Sequence, residues 1–209
     1  MRTSEKTFEL NFCSDMGLRL QHRILWFGLT QKQEARWGFD ACIKLGGFAF
    51  LFQFKISNQF NGGARRFSAP HDQMLNLIDL CGRARRSVYY VLPDFGTTAE
   101  LGKLGSVLDR TWFLDVASIP TPVPTPTKKD GTPRADGRHF IDINTSACPA
   151  SAVIHSEPIT VKLSSFEEAI QSQFTEGRGL SSRALARLLD SQDGTYLIKR
   201  EALLAMVIP

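Results

Sequence analysis

The sequence predicts an α/β protein with a mixed central β-sheet flanked by helices, followed by a small C-terminal helical portion. Three observations carry this expectation. Residues 39–57, FDACIKLGGFAFLFQFKIS, read as a β-hairpin turned at Gly46 and Gly47, because a Gly-Gly pair suits the positive φ of a two-residue hairpin turn. Residues 87–92, SVYYVL, form a near-continuous apolar run, which suits a central strand buried on both faces. After the hairpin, helical patterns alternate with strand patterns.

The bulk properties bound the answer. The chain has 209 residues, 43% hydrophobic and 22% charged, which describes a globular chain and not a disordered one. No apolar run reaches membrane-span length, and residues 1–12 lack the apolar core of a signal peptide. A cytoplasmic protein is therefore expected. Cys13, Cys42, Cys81 and Cys148 are scattered and read as reduced thiols; with four histidines they nowhere approach zinc-ligand spacing. The net charge of +4 permits a nucleic-acid partner without requiring one.

In chain order, residues 6–13 alternate loosely and are expected as a first strand. Residues 18–27 fit strand or helix equally. Thr30 is an N-cap with Gln33 at N3, giving a short helix over 31–37 that ends at Gly38. Residues 58–67, NQFNGGARRF, are expected as a loop. Ser68 then caps a helix running to about Cys81, with Pro70 in its first turn and Met74, Leu77, Ile78 and Cys81 as its apolar stripe. A helix over 98–108 and a strand over 111–117 follow. Residues 119–138 are rich in Pro and Thr and read as a long extended loop. Strands return at 139–143 and 159–163. Ser164 and Glu167 make a capping box for a helix over 164–174, and two short helices are expected over 180–189 and 199–206. These boundaries divide the chain into an α/β domain, 1–163, and a helical segment, 164–209.

The chemistry concentrates on one face of the hairpin. A two-residue turn at Gly46 and Gly47 pairs Leu45 with Phe48 and sets Asp40 opposite Gln53. Strand alternation then puts Gln53 and Lys55 on the face that carries Asp40. The other face carries Phe39, Ala41 and Ile43 with Phe50, Phe52 and Phe54. A magnesium-type ion takes oxygen ligands including one or two carboxylates. Asp40 supplies a carboxylate and Gln53 an amide oxygen, and Glu34 offers a second carboxylate from the preceding helix. Lys55 is placed to position or deprotonate a water, or to steady charge at phosphorus. Such a set of parts suits metal-assisted phosphodiester hydrolysis. The bland alternative is a charge pair on a solvated sheet face, but Cys42, Ala49 and Leu51 share that face.

A helix Glu, a strand Asp and a (D/E/Q)-x-Lys on the adjacent antiparallel strand resemble the signature of the PD-(D/E)XK nucleases. That family includes restriction endonucleases and Holliday-junction resolvases. The matching residues are Glu34, Asp40 and Gln53-Phe54-Lys55, a QxK variant, with Gln73 at the position of a helix Gln found in many family cores. The resemblance covers residues 30–117. It implies a restriction-endonuclease-like core, Mg²⁺ or Mn²⁺ as cofactor, DNA as substrate, and a role in restriction, phage defence or DNA repair. Asp40, Gln53 and Glu34 would hold the ion, Lys55 would assist the attacking water and Gln73 would shape the site. Many such nucleases are homodimers, and a second protein would be one source of recognition or trigger. Arg65, Arg66 and His71 are candidate substrate contacts, as are Arg83, Arg85, Arg86, Lys128 and Lys129. Gln53 in place of the usual acid keeps a second reading open, a nuclease fold retained to bind nucleic acid or a protein.

Overall fold

The structure, a computed structural model, describes residues 1–21, 24–45, 48–84, 87–127, 130–133, 137–154, 159–176 and 180–181. The Gly46-Gly47 turn, Arg85, Arg86, Lys128, Lys129 and the expected helix over 199–206 lie outside these, as does all but the start of the expected helix over 180–189.

The chain opens with α1 (Glu5–Arg19) and β1 (Leu25–Gly28), then α2 (Gln31–Trp37), β2 (Ala41–Leu45) and β3 (Phe48–Phe54). A small hairpin, β4 (Gln59–Asn61) and β5 (Ala64–Pro70), leads into α3 (His71–Ala84) and β6 (Val88–Pro93). The one-turn α4 (Thr98–Leu101) and β7 (Thr111–Asp115) follow. The chain continues with β8 (Arg138–Asn144), β9 (Ser151–Ile154), β10 (Ile159–Lys162), α5 (Phe166–Glu176) and β11 (Leu180–Ser181).

Two sheets result. The main sheet has the order β1-β2-β3-β6-β7; the β3–β6 pair is parallel and the other neighbours on that path are antiparallel. The hairpin register runs Ala41↔Phe52 to Leu45↔Phe48, the pairing that the Gly-Gly turn predicts. The second sheet, β10-β9-β8-β5-β4, is antiparallel. It corrects two expectations. Residues 58–67 are no loop, since Gly62 and Gly63 turn a hairpin. Ser68 and Pro70 belong to β5, so the following helix starts at His71.

The main sheet is covered on both faces. On one face Ala41, Ile43, Phe50, Phe52 and Phe54 meet Phe8, Phe12 and Met16 of α1 and Phe166 and Ala169 of α5. The ring of Phe12 stands 5.6 Å from Phe52 and 5.1 Å from Phe54. Such edge-on aromatic contacts are worth roughly 0.5–1.5 kcal/mol each beyond the burial itself. Residues 6–13 are therefore helix and not strand. Phe8, Phe12 and Met16 recur every four residues, and Ser4 caps the helix by accepting from Thr7 N–H. On the other face Cys42, Leu51 and Tyr90 meet Met74, Leu77 and Leu80 of α3, with Phe67 and Ile141 of the second sheet. Phe39 joins this cluster and not the one expected for it. Strand β2 starts only at Ala41, after a left-handed Gly38, so strict alternation does not extend back to Phe39.

Three ends shift in the remaining elements. The helix expected over 98–108 stops at Leu101, capped by Thr97 and Glu100. The capping box of α5 is Ser165 with Glu168, one residue later than expected. Leu180–Ser181 is a strand that pairs with Phe48–Ala49 of β3. That stretch of β3 is open because β6 pairs only from Leu51 to Phe54.

Candidate functional site

Asp40 occupies the bend before β2, and its N–H bonds the Phe52 carbonyl at 2.8 Å, which carries the ladder one step past the strand. This brings its carboxylate beside Gln53 at the end of β3. Asp40 Oδ2 accepts from Gln53 Nε2 at 2.7 Å and from Phe54 N–H at 2.7 Å. Among the described residues Oδ1 accepts no hydrogen bond. Gln53 Oε1 accepts in turn from Gln73 Nε2 at 2.9 Å. Asp40, Gln53 and Gln73 thus form one directed chain across β2, β3 and α3, and its direction follows from an acceptor-only carboxylate at one end. In this arrangement the Gln53 nitrogen faces Asp40, and its oxygen faces Gln73.

Burial pushes the Asp40 carboxyl up to about 6, while the Phe54 N–H, Lys55 and Gln53 pull it down and Glu5 pushes it up. Desolvation outweighs the two hydrogen bonds and the nearby cation, since burial disfavours the charged form. Tyr90, the β6 neighbour of Gln53 in the parallel register, is fully buried. Its phenol is pushed up by burial and by Asp40, so it stays protonated.

Lys55 follows β3, its N–H held by the Val91 carbonyl of β6 at 3.1 Å. The side chain is 9% exposed, and among the described residues it has no hydrogen bond or ion pair. It lines a cleft of about 500 Å³ together with Arg2, Glu5, Asn58, Arg66 and Arg138. The cleft lies where the carboxyl ends of parallel β3 and β6 meet the start of α1. Residues 1–4 are fastened there by Thr3 N–H to the Gly96 carbonyl at 3.0 Å and Thr98 N–H to the Met1 carbonyl at 3.0 Å.

Glu34 sits in the first turn of α2, half-buried. Burial and Glu9 raise its carboxyl pKa, and Lys6 lowers it. Its charged neighbours are Glu9 and Lys6, whereas those acting on Asp40 are Lys55 and Glu5. The acid that the fold brings toward Asp40 is Glu5, which the expected first strand concealed. Its signal was legible: Ser4 followed by an acid, then apolar residues at helical spacing.

The expected substrate contacts separate. Arg65 is 5% exposed; it donates to the Ser57 carbonyl at 2.7 Å, pairs with Glu100 at 3.5 Å and covers the Phe60 ring at 4.6 Å. It is a structural cation. Arg66 lines the cleft, its guanidinium bound by Asp142 through Nε at 2.7 Å and Nη2 at 2.8 Å. His71 Nδ1 lies 2.7 Å from Nε2 of the fully buried His139 and takes no place in the lining of the cleft. Burial and His71 push the His139 imidazole down to about 4.

Two carboxylates bear on the question of a cation here. Asp40 keeps one oxygen open and its burial disfavours an uncompensated charge, while Glu5, in the lining of the cleft, acts on it electrostatically. Among the described residues no three His, Cys, Asp or Glu side chains stand close enough to form an all-protein cage. No protein-family model, curated protein or solved structure matches the chain.

Proposed function

We propose that the chain is a divalent-metal-dependent nuclease that hydrolyses phosphodiester bonds in DNA. The observation that carries this reading is the electrostatic action of Lys55 on an oriented, burial-stressed Asp40, Lys55 being a nine-tenths-buried cation that lines the cleft and makes no salt bridge among the described residues. Asp40 and Glu5 would hold the ion, which supplies Lewis-acid polarisation of the phosphate and a more acidic water. Gln53 and Gln73 orient Asp40. Gln53, itself held by Gln73, and the Phe54 N–H donate to Oδ2 and would leave Oδ1 for the ion. Lys55 meets the phosphate and stabilises the negative charge that grows on it, in a place where burial strengthens the interaction. Tyr90 closes the β6 side of the site and keeps water from that side of Gln53.

The test is cleavage of plasmid and linear DNA in Mg²⁺ or Mn²⁺ by the protein and its Asp40→Ala and Lys55→Ala variants. The reading requires cleavage by the unaltered protein and loss of at least 100-fold in each variant, the order that removal of one charge-stabilising group costs. Salt-sensitive DNA binding with no cleavage would instead support the fold as a binding module, which the neutral Gln53 favours. Restriction, phage defence or repair would be the setting of the nuclease, acting as a homodimer or with a partner protein.

A further inference from the structure

Two cations of the cleft have no part in the site described above. Lys55 and Glu5, both in the lining, act on Asp40. Arg66 is bound by Asp142 through two hydrogen bonds. That leaves Arg2 and Arg138, which line the same cleft and make no ion pair among the described residues. Both are exposed, and exposure alone would make each an ordinary solvated cation. What sets them apart is how they are held.

Arg138 opens β8 on a fixed backbone. The His71 N–H bonds the carbonyl of the preceding Gly137 at 2.5 Å, and Arg138 pairs with Pro70 at the end of the β5–β8 ladder. Directly paired residues of antiparallel strands share a face, and alternation puts Arg66, Ser68 and Pro70 on one face of β5. All three line the cleft. Arg138 is therefore on the cleft face, where its Nη1 donates to Ser68 Oγ at 3.2 Å. A neutral hydroxyl orients the guanidinium without cancelling its charge. Arg2 is also held by its backbone. It forms an antiparallel β-bridge with Thr97, and its neighbours Met1 and Thr3 are tied to Thr98 and Gly96 by backbone hydrogen bonds of 3.0 Å. A guanidinium carries five N–H donors in a planar fork that matches a phosphate, and a pinned backbone lowers the entropy lost when the side chain binds.

We propose that Arg2 and Arg138 bind backbone phosphates of the DNA other than the one that meets Lys55, and so hold the substrate in register with Asp40. This deepens the nuclease reading, on which it rests for the identity of the polymer. The two arginines are substrate-binding residues outside the reacting centre, and contacts to phosphate position a nucleic acid without reading its sequence.

The experiment is fluorescence anisotropy of the full chain with a short labelled DNA duplex and with its single strand, in EDTA so that binding is read without cleavage. Affinity is measured across a salt series. Arg2→Ala and Arg138→Ala should each weaken binding and lower the slope of log affinity against log salt by about 0.9 on the duplex or about 0.7 on the strand, the value of one phosphate contact. The loss should be the same for two duplexes of unrelated sequence. Arg138→Lys keeps the charge and should keep the slope. Lys103→Ala removes an exposed cation outside the cleft lining and should leave the slope unchanged. Melting temperatures of all variants separate a binding loss from a folding loss, and Arg2→Gln and Arg138→Gln give the same readout if an alanine variant melts early. An unchanged slope in either arginine's neutral variant overturns the inference. So does an equal fall in Lys103→Ala or Arg138→Lys, or the absence of DNA binding at low salt. Binding with these slopes but without cleavage leaves the two contacts standing and removes the nuclease reading. Asp40-dependent cleavage with unchanged slopes does the reverse.

Discussion

Gln53 donates its amide N–H to Asp40 Oδ2 across 2.7 Å while its own oxygen accepts from Gln73. The amide is thus a fixed spacer between a carboxylate and a helix, in a place where a second carboxylate would meet Asp40 directly. Gln53→Glu should lower stability by roughly 1–3 kcal/mol in EDTA, because two buried carboxylates face each other and Asp40 loses a donor. A divalent cation should restore more stability to this variant than to the unaltered protein. Thermal melts with and without Mg²⁺ measure both effects.

Asp40 sets a pH dependence whose sign follows from its raised pKa. The folded state holds the Asp40 proton up to about pH 6, against an ordinary carboxyl value of about 4. Its contribution therefore favours folding below about pH 4 and is lost as pH rises through about 6. Asp40→Asn should raise stability at pH 8 by about 2 kcal/mol and change it little at pH 4, while abolishing cleavage. Denaturant titrations at the two pH values check the first part. A melting temperature unchanged at pH 8 would mean that the ionised carboxylate is not under stress.

Lys55 lowers the Asp40 pKa, so its removal has an electrostatic consequence that can be read apart from any effect on cleavage. Lys55→Met should move the Asp40 titration upward, and with it the acid limb of the pH–rate profile of any residual activity. The titration is followed by NMR of the Asp40 carboxyl carbon. A titration that stays in place would show that Lys55 does not act on Asp40.

His139 works in the opposite pH direction. Its imidazole is pushed down to about 4, below the ordinary value of about 6.5. The unfolded chain takes the proton first, so stability from this group is present above about pH 6.5 and is lost as pH falls toward 4. The loss should amount to roughly 2–3 kcal/mol. His139→Gln should flatten that part of the pH–stability curve, and melts across pH 4–7 decide it.

Gly38 ties the site to its surroundings. It ends α2 with φ of 79°, and a Cβ there would stand 3.2 Å from the Gln73 carbonyl and 3.3 Å from Asn76 Cβ. Gly38→Ala should cost at least about 1 kcal/mol from the left-handed backbone alone. It should also displace the first turn of α3, which carries Gln73, and so slow cleavage more than the stability loss predicts. Parallel melting and cleavage assays separate the two.

Much of this architecture is local and was legible. The register of β2 on β3, and with it the meeting of Asp40 and Gln53, follows from a Gly-Gly turn and a period-2 pattern. Cooperation between neighbouring residues sets both, and no distant partner is needed. The capping box of Thr30 and Gln33 and the buried run of β6 are of the same kind. The α1 helix was also written locally, in Ser4 and the spacing of Phe8, Phe12 and Met16. A loose alternation over the same residues masked it, because short apolar patterns fit two periods.

Other features depend on what the chain meets far away. Arg65 and Arg66 are adjacent and alike in sequence, but alternation along β5 turns one to Ser57 and Glu100 and the other to Asp142. Glu5 and Arg2 reach the cleft only because α1 packs its phenylalanines onto β3 and the chain before it is fastened beside Gly96. Gln73 meets Gln53 only because α3 covers the opposite face. The sequence by itself determined the hairpin, its register and the Asp40–Gln53 pair, since their energetics close within a few residues. Tertiary structure decided which charges act on Asp40 and which cations line the cleft, since both depend on contacts between segments whose relative placement no local pattern encodes.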